Sequence, residues 1–418
     1  MIAISKIIVG YSPSLSGSVE ISGSKNSALP VMAACIMAKT GVRLENVPNI
    51  SDVRNMAKIL ADLGCSCTFE NNIMEIDSTH INRTDTEYET SGRLRASFLV
   101  AGPLLAMYKR ARISLPGGCS IGLRPVDLHI RGFEALGAEA VTGAGFVELT
   151  ADKLTGSEIY LDFPSVGATQ NIMMAACLAN GITTIGNAAA EPEVADLGNF
   201  LNKCGAKISG AGTDTVKITG VGSLGGTSHR IIPDRIEAGT FMTAAAATHG
   251  CIMLRGVDCS HLKPVMAKLG EMGVEFAQDN DCLTVNAKND LHAASVRTMP
   301  FPGFPTDMQS QFTALFCMSE GHSSVTETIF ENRFMYAGEL TRMNAHIKID
   351  GRTALIDGVK RLTGTKVTAC DLRGGAALIV AGLGADGITE IENAEYIYRG
   401  YDRIESKLKS IGANIYSV

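Results

Sequence analysis

The chain has 418 residues, 45% of them hydrophobic and 19% charged, and a formal net charge of −6. That length predicts about two to three domains, and the composition excludes an intrinsically disordered chain. The acidic balance excludes bulk attraction to nucleic acid or an acidic membrane, so any anionic ligand has to be held by local cations.

The first segment, MIAISKIIVGYSPS, has no basic n-region, no long apolar run and no small-residue cleavage site, so no export signal is expected. The apolar run ALPVMAACIMA at 28–38 falls short of the ~18 residues that would suggest a membrane span. Eleven cysteines without an export signal point to a reducing, cytoplasmic location. There is no CxxC pair and the count is odd, so neither a disulfide framework nor a metal site is expected. Cys65 and Cys67 read as packing residues.

From there the elements recur. An apolar helix opens at GSKN (Lys25, Asn26) and ends before Gly41; an amphipathic segment, ILADLGCSCTF, then turns at Gly64 into a strand. The succession returns from GRLRAS (Arg93, Arg95) through Ala111 to FEALGAEAV at Gly137, and from PSVGATQN (Ser165, Gly167, Thr169) through Gly181 to FLNKCGAKI at Gly205. It returns again from PDRIEAG (Asp234, Arg235, Glu237) through Gly250 to Gly273, from FPTDMQSQ (Asp307, Gln309) through Gly321 to Asn344, and from DLRGGAA (Asp371, Arg373) through Gly387 to Gly412. Both markers keep a period of ~70 residues, too long for a solenoid repeat. Gly or Asn closes the amphipathic helix in the left-handed conformation, and the β-branched residues beyond it enter a strand.

These elements predict an α/β fold of six units gathered three and three. One domain is expected over 23–231. The other is expected over 1–22 plus 232–418, with chain crossings near Ile21–Gly23 and Ile231–Pro233. Equivalent helix starts share one end of a domain, and helix N-termini favour anions. If two such ends face each other, all six starts converge on one cleft, where Lys25, Arg95 and Arg373 add full positive charge. Asp234, Asp307 and Asp371 also fit plain helix caps, a role compatible with ligand binding.

The run LPGGCSIGLRPVDLHIRG at 115–132 departs from the pattern. Gly117 and Gly118 allow close backbone approach, and Cys119 is expected at an exposed loop tip. A thiol near cations such as Arg124 has a lowered pKa and suits a nucleophile or proton donor; the alternative is an inert loop thiol. His129 reads as structural. Glu331 with Arg333 and Asp402 with Arg403 read as surface pairs, while Arg399, in a Gly-containing turn, is the stronger anion-binding candidate.

The strings GSKNSALP, RLRAS, PGGCSIGLRPVDLH, SVGAT, EPEVADL, PDRIEAGTF, FPTDMQSQ, TETIFENRFMY, DLRGGAAL and YRGYDRIESKL are similar, in order and spacing, to those of the UDP-N-acetylglucosamine 1-carboxyvinyltransferases. The resemblance covers nearly the whole chain. It implies a two-domain inside-out α/β barrel of six βαβαββ units, three per domain. The implied reaction transfers the enolpyruvyl group of phosphoenolpyruvate to the 3-hydroxyl of UDP-N-acetylglucosamine, the first committed step of peptidoglycan synthesis, with no cofactor and no metal. The 3-hydroxyl attacks the central carbon of phosphoenolpyruvate, a proton adds to the methylene carbon, and phosphate leaves the tetrahedral adduct.

Residue by residue, the resemblance implies that Cys119 is the proton donor and an alkylatable thiol, hence fosfomycin sensitivity. Lys25, Arg124 and Arg399 hold phosphoenolpyruvate, with Asn26 beside Lys25. Asp307 is a candidate base near the 3-hydroxyl, and Asp371 and Arg373 organise the closed site. Arg95, Arg124, Pro125, Val126, Asp127, Leu128, Ser165, Val166, Gly167, Asp307 and Ile329 contact the nucleotide sugar. Phe163–Pro164 stands where some members carry Lys, and Ser310 and Gly374 stand where Ala or Pro is commoner. A monomer or weak homo-oligomer is expected, with no nucleic-acid or membrane partner. Two other readings remain: a shikimate-pathway enolpyruvyl transferase, and a catalytically silent paralogue that binds the nucleotide sugar.

Overall fold

The computed structural model describes residues 6–88, 94–115 and 126–418. Among the described residues it is an α/β protein with five four-stranded sheets and one three-stranded sheet. The described residues divide into two compact units, one made of those within 23–232 and the other of 6–22 with 233–418.

The four-stranded sheets share one order. A short strand runs parallel to a second; the second pairs antiparallel with a third, and a fourth, antiparallel to the third, forms the edge. In four of the five sheets the third and fourth are the arms of a hairpin. In one of them Ser295–Arg297 lies beside His322–Thr326, which pairs with Thr353–Asp357 and then His346–Asp350. Ser16–Glu20 runs parallel to Cys251–Arg255, and Ser228–Arg230 runs parallel to Val42–Glu45. The N-terminal strand Ile7–Gly10 takes an interior place between Ile388–Glu392 and Ile415–Ser417. In the three-stranded sheet an isolated parallel bridge from Asp85 to Arg112 stands where the short strand would be.

Strand residues alternate inward and outward. Ile252 and Leu254 are buried in Cys251–Arg255, as are Val42 and Leu44 in Val42–Glu45. This is the period of a sheet packed on one face. The six residues expected to close helices (Gly64, Gly137, Gly205, Gly273, Asn344 and Gly412) all have positive φ, between 69° and 107°. At these turns the absence of a Cβ, or the tolerance of Asn, lets the chain reverse into the next strand.

Two kinds of helix result. Ser51–Asp62 and Pro192–Lys203 are amphipathic, each burying an apolar stripe, and each also buries carboxylates: Asp52 in the first, Glu193 and Asp196 in the second. Arg235–Ala247 and Leu372–Gly384 are buried almost end to end, as is Val166–Ala176. Helices apolar all round belong at the centre of a unit. In the unit containing 233–418, Arg235–Ala247, Gln309–Phe316 and Leu372–Gly384 pack against one another. In the other unit, Lys25–Ala34 packs against Arg95–Val100, and Ala101–Tyr108 against Val166–Ala176. Gly102 permits that last approach: a Cβ there would lie 2.4 Å from the Asn171 carbonyl oxygen. Packing the central helices together brings their polar starts together within each unit.

Candidate active site

In the unit containing 233–418, the helix starts carry different chemistry. Asp234 and Asp371 are N-caps: Asp234 Oδ1 accepts from Ile236 N and Glu237 N, and Asp371 Oδ1 accepts from Arg373 N and Gly374 N. Asp307 is not a cap of that kind. It sits in the short 3-10 turn Thr306–Met308, and its carboxylate lies between two arginines. Arg333 Nη2 donates to Oδ1 at 2.9 Å and Arg373 Nη2 donates to Oδ2 at 3.0 Å. Both guanidiniums are at most 4% exposed.

Burial disfavours the Arg373 charge, but Asp307, Tyr401 and Asp234 outweigh it and raise its pKa. The Arg373 guanidinium lies 5.3 Å from the centroid of the Tyr401 ring. Among the described residues its Nε and Nη1 have no hydrogen-bond partner, so donor capacity remains beside Asp307. Cys370 donates to Asp371 Oδ2 at 3.5 Å. Burial, with the Asp371 charge, pushes its thiol up to about 12, so it acts as a hydrogen-bond donor and not as a thiolate.

Glu327 sets the place of Asp307 and Ile329. It is buried, and its Oε1 accepts from Thr298 Oγ1, Ile329 N and Phe330 N at 2.8 to 3.0 Å. Its Oε2 accepts from Thr306 Oγ1 at 2.8 Å. One carboxylate therefore ties the turn bearing Ile329 to the turn bearing Asp307. Arg399 closes the 3-10 helix Ala394–Arg399 and is half-buried.

The pairing read for Glu331 and Arg333 is corrected. Arg333 turns inward to Asp307, with its guanidinium 5.3 Å from the Phe330 ring centroid, while Glu331 lies 3.9 Å from Arg352. A buried Arg needs a paired anion, and the half-buried Asp307 is that anion. Asp402 and Arg403 do pair, at 3.2 Å.

In the unit containing 23–232, Lys25 and Asn26 are the first two residues of Lys25–Ala34. Lys25 Nζ lies 3.6 Å from Asp52 Oδ2, and Asp52 is buried in the first turn of Ser51–Asp62. Arg95 opens the 3-10 helix Arg95–Val100. Val126 immediately precedes Asp127–Ala135, with Asp127 exposed and Leu128 half-buried. Ser165 caps Val166–Ala176, its Oγ accepting from Ala168 N at 3.3 Å, and Val166 and Gly167 form the first turn. Phe163 is exposed and Pro164 half-buried just before this cap.

His129 joins these elements as a structural residue. Its Nδ1 accepts from Asn171 Nδ2 at 3.0 Å, and the same Nδ2 donates to Phe98 O at 2.9 Å. Burial, reinforced by Arg95, lowers its pKa to about 3, so the ring is neutral at physiological pH. Gly167 packs over it: a Cβ there would lie 3.2 Å from Cε1.

Cys119, Arg124 and Pro125 lie outside the described residues. Among the described residues no group of His, Cys, Asp or Glu fits a metal ion, and no helix is long and apolar enough to cross a membrane. The ten described cysteines are free thiols.

Asp52, Glu327 and the inward role of Arg333 were not read from the sequence. Asp52 carried a signal as an acidic residue in a first helical turn, and Glu327 as a lone carboxylate between threonines in TETIFENRFMY. Arg333 carried none, because its partner is 26 residues away in sequence.

A family model described as EPSP synthase (3-phosphoshikimate 1-carboxyvinyltransferase) matches residues 11–408. The chain is 52% identical over 411 residues to UDP-N-acetylglucosamine 1-carboxyvinyltransferase 1 of Caldanaerobacter subterraneus, covering 98% of this chain and 99% of that protein. It is 53% identical over 412 residues to UDP-N-acetylglucosamine 1-carboxyvinyltransferase 2 of Carboxydothermus hydrogenoformans, covering 98% of each. Among solved structures it is similar to the enolpyruvyl transferase NikO of Streptomyces tendae, with a TM-score of 0.91, 26% identity and 99% of each chain covered. It shares its fold with EPSP synthase of Acinetobacter baumannii, with a TM-score of 0.78, 17% identity and 100% of each chain covered.

Proposed function

The chain belongs to the EPSP synthase family, among its UDP-N-acetylglucosamine 1-carboxyvinyltransferases, and from that premise we infer that it transfers the enolpyruvyl group of phosphoenolpyruvate to the 3-hydroxyl of UDP-N-acetylglucosamine. This releases phosphate and opens peptidoglycan synthesis. The observation that carries the reading is identity above half over nearly the full length of both chains. The shikimate-pathway alternative shares the fold at 17% identity, which speaks for architecture and not for acceptor.

The finer assignments follow as proposals. The architecture is an inside-out α/β barrel of six βαβαββ units, with one domain over 23–231 and the other over 1–22 plus 232–418. Asp307 takes the proton of the 3-hydroxyl as it attacks the central carbon of phosphoenolpyruvate. The paired guanidiniums support this by fixing the direction of both carboxylate oxygens. Cys119 gives a proton to the methylene carbon. Lys25, Arg124 and Arg399 hold the phosphate and carboxylate of phosphoenolpyruvate, with Asn26 beside them. Fixed cations of this kind compensate charge that develops in the transition state. Asp371 holds the first turn that presents Arg373.

Arg95, Arg124 to Leu128, Ser165 to Gly167, Asp307 and Ile329 contact the nucleotide sugar. Ser165 to Gly167 support this by standing at a helix N-terminus, where amides suit a diphosphate. The protein works in the cytoplasm, as a monomer or weak homo-oligomer, with no nucleic-acid or membrane partner and no cofactor. Mass spectrometry of a reaction with both substrates tests the reading. A product heavier than UDP-N-acetylglucosamine by one enolpyruvyl group supports it, and an unchanged nucleotide sugar overturns it.

A further inference from the structure

Lys25 and Asn26 open a helix whose first turn is weakly held from within. Its N-cap, Ser24, makes no side-chain capping bond, whereas Ser165, Asp234 and Asp371 all cap theirs. Pro30 lies inside the same helix and has no N–H to offer the Asn26 carbonyl. A cation that must meet a substrate cannot rest on a turn free to fray, so the holding force has to come from elsewhere.

It comes from a buried network in the same unit. Ser27 Oγ donates to Asp196 Oδ2, and Ile232 N donates to the same oxygen at 3.5 Å. The other oxygen of Asp196 faces His229 Nε2 at 3.0 Å, and Lys203 Nζ lies 3.4 Å from His229 Nδ1. An ammonium only donates, so Nδ1 accepts and the imidazole hydrogen sits on Nε2, directed at Asp196. Ser27, Asp196 and His229 are each at most 4% exposed, and Phe200 packs edge-on to His229. On the other side of the pair, Ser24 N donates to Ile232 O at 2.8 Å. Lys25 and Asn26 are thus bracketed by two anchored residues, Ser24 and Ser27, both tied to the backbone of Ile232, Ser24 directly at its C=O and Ser27 through Asp196 at its N–H.

We propose that Asp196, oriented by His229 and Lys203, is a positioning residue for Lys25 and Asn26. It acts through Ser27 and Ile232 on the turn that presents the cation to phosphoenolpyruvate. The inference rests on the role given to Lys25 under the proposed function. It also gives EPEVADL, which carries no substrate group in that reading, a reason to contain a buried carboxylate.

The experiment measures KM for each substrate, kcat and the melting temperature in Ser27→Ala, Ser27→Thr, Asp196→Asn and the unaltered protein. The expected result is a rise of about tenfold in KM for phosphoenolpyruvate in Ser27→Ala, with KM for UDP-N-acetylglucosamine unchanged, and recovery in Ser27→Thr, which keeps the hydroxyl. Asp196→Asn turns an amide donor toward existing donors and should show the larger effect; if it fails to fold, Ser27→Ala decides. A lower melting temperature with KM for phosphoenolpyruvate unchanged in Ser27→Ala overturns the inference while leaving the function intact. An unaltered protein that consumes no phosphoenolpyruvate with UDP-N-acetylglucosamine overturns the function itself, and the inference with it.

Discussion

Arg373 Nη2 donates to Asp307 Oδ2 at 3.0 Å, from a guanidinium that is almost completely buried. The bond joins the start of one central helix to the turn that precedes another, 66 residues away in sequence. Arg333 completes the bracket on Oδ1. A carboxylate held on both oxygens has one orientation, which suits a base that must meet a single hydroxyl.

Replacing Arg333 by Gln should therefore lower kcat by about 100-fold, within the range ascribed to a positioned acid or base. KM for phosphoenolpyruvate should stay within a few-fold, because Lys25, Arg124 and Arg399 remain. Steady-state kinetics check this; an unchanged kcat would remove Arg333 from the account of Asp307.

Glu327→Gln should raise KM for UDP-N-acetylglucosamine by about tenfold and lower the melting temperature. The amide leaves at least one of the four donors that meet Glu327 without a good acceptor, and such a buried donor costs about 1–3 kcal/mol. A variant with a lowered melting temperature and unchanged KM would show that Glu327 holds the fold but not Ile329.

His129 gives a pH dependence of known sign. Burial and Arg95 lower its pKa from 6.5 to about 3 in the folded protein. The unfolded chain therefore binds the proton first as pH falls, so this contribution to stability is complete above pH 6.5 and is lost progressively toward pH 3. The melting temperature should drop between pH 7 and pH 4, and His129→Gln, which keeps an acceptor for Asn171, should flatten that drop. An equal slope in both proteins would contradict it.

The turn residues and two of the caps were legible in the sequence because their physics is local. Gly64 or Asn344 is selected by its own φ, and Asp234 or Asp371 by amides two and three residues on. What escaped was decided by distance in space. Arg333 stands two residues from Glu331 but pairs with Asp307, because its side chain points into the core. Glu327, Asp52 and Asp196 likewise take their meaning from partners on other elements. The family strings implied the roles proposed for Lys25, Asp307 and Arg373; they did not reveal which side chains hold those groups in place.

Cys119 should be the thiol that fosfomycin alkylates. Cys119→Asp should retain activity and lose sensitivity to the drug, measured by turnover after preincubation. A variant that stays active and equally sensitive would place the drug's target elsewhere.

The central claim is tested most directly by phosphate release from phosphoenolpyruvate, with UDP-N-acetylglucosamine and shikimate 3-phosphate offered separately. Release with the nucleotide sugar alone, abolished in Cys119→Ala, is the predicted result. Release only with shikimate 3-phosphate, or with neither acceptor, would contradict it, the latter favouring a silent paralogue that binds the nucleotide sugar.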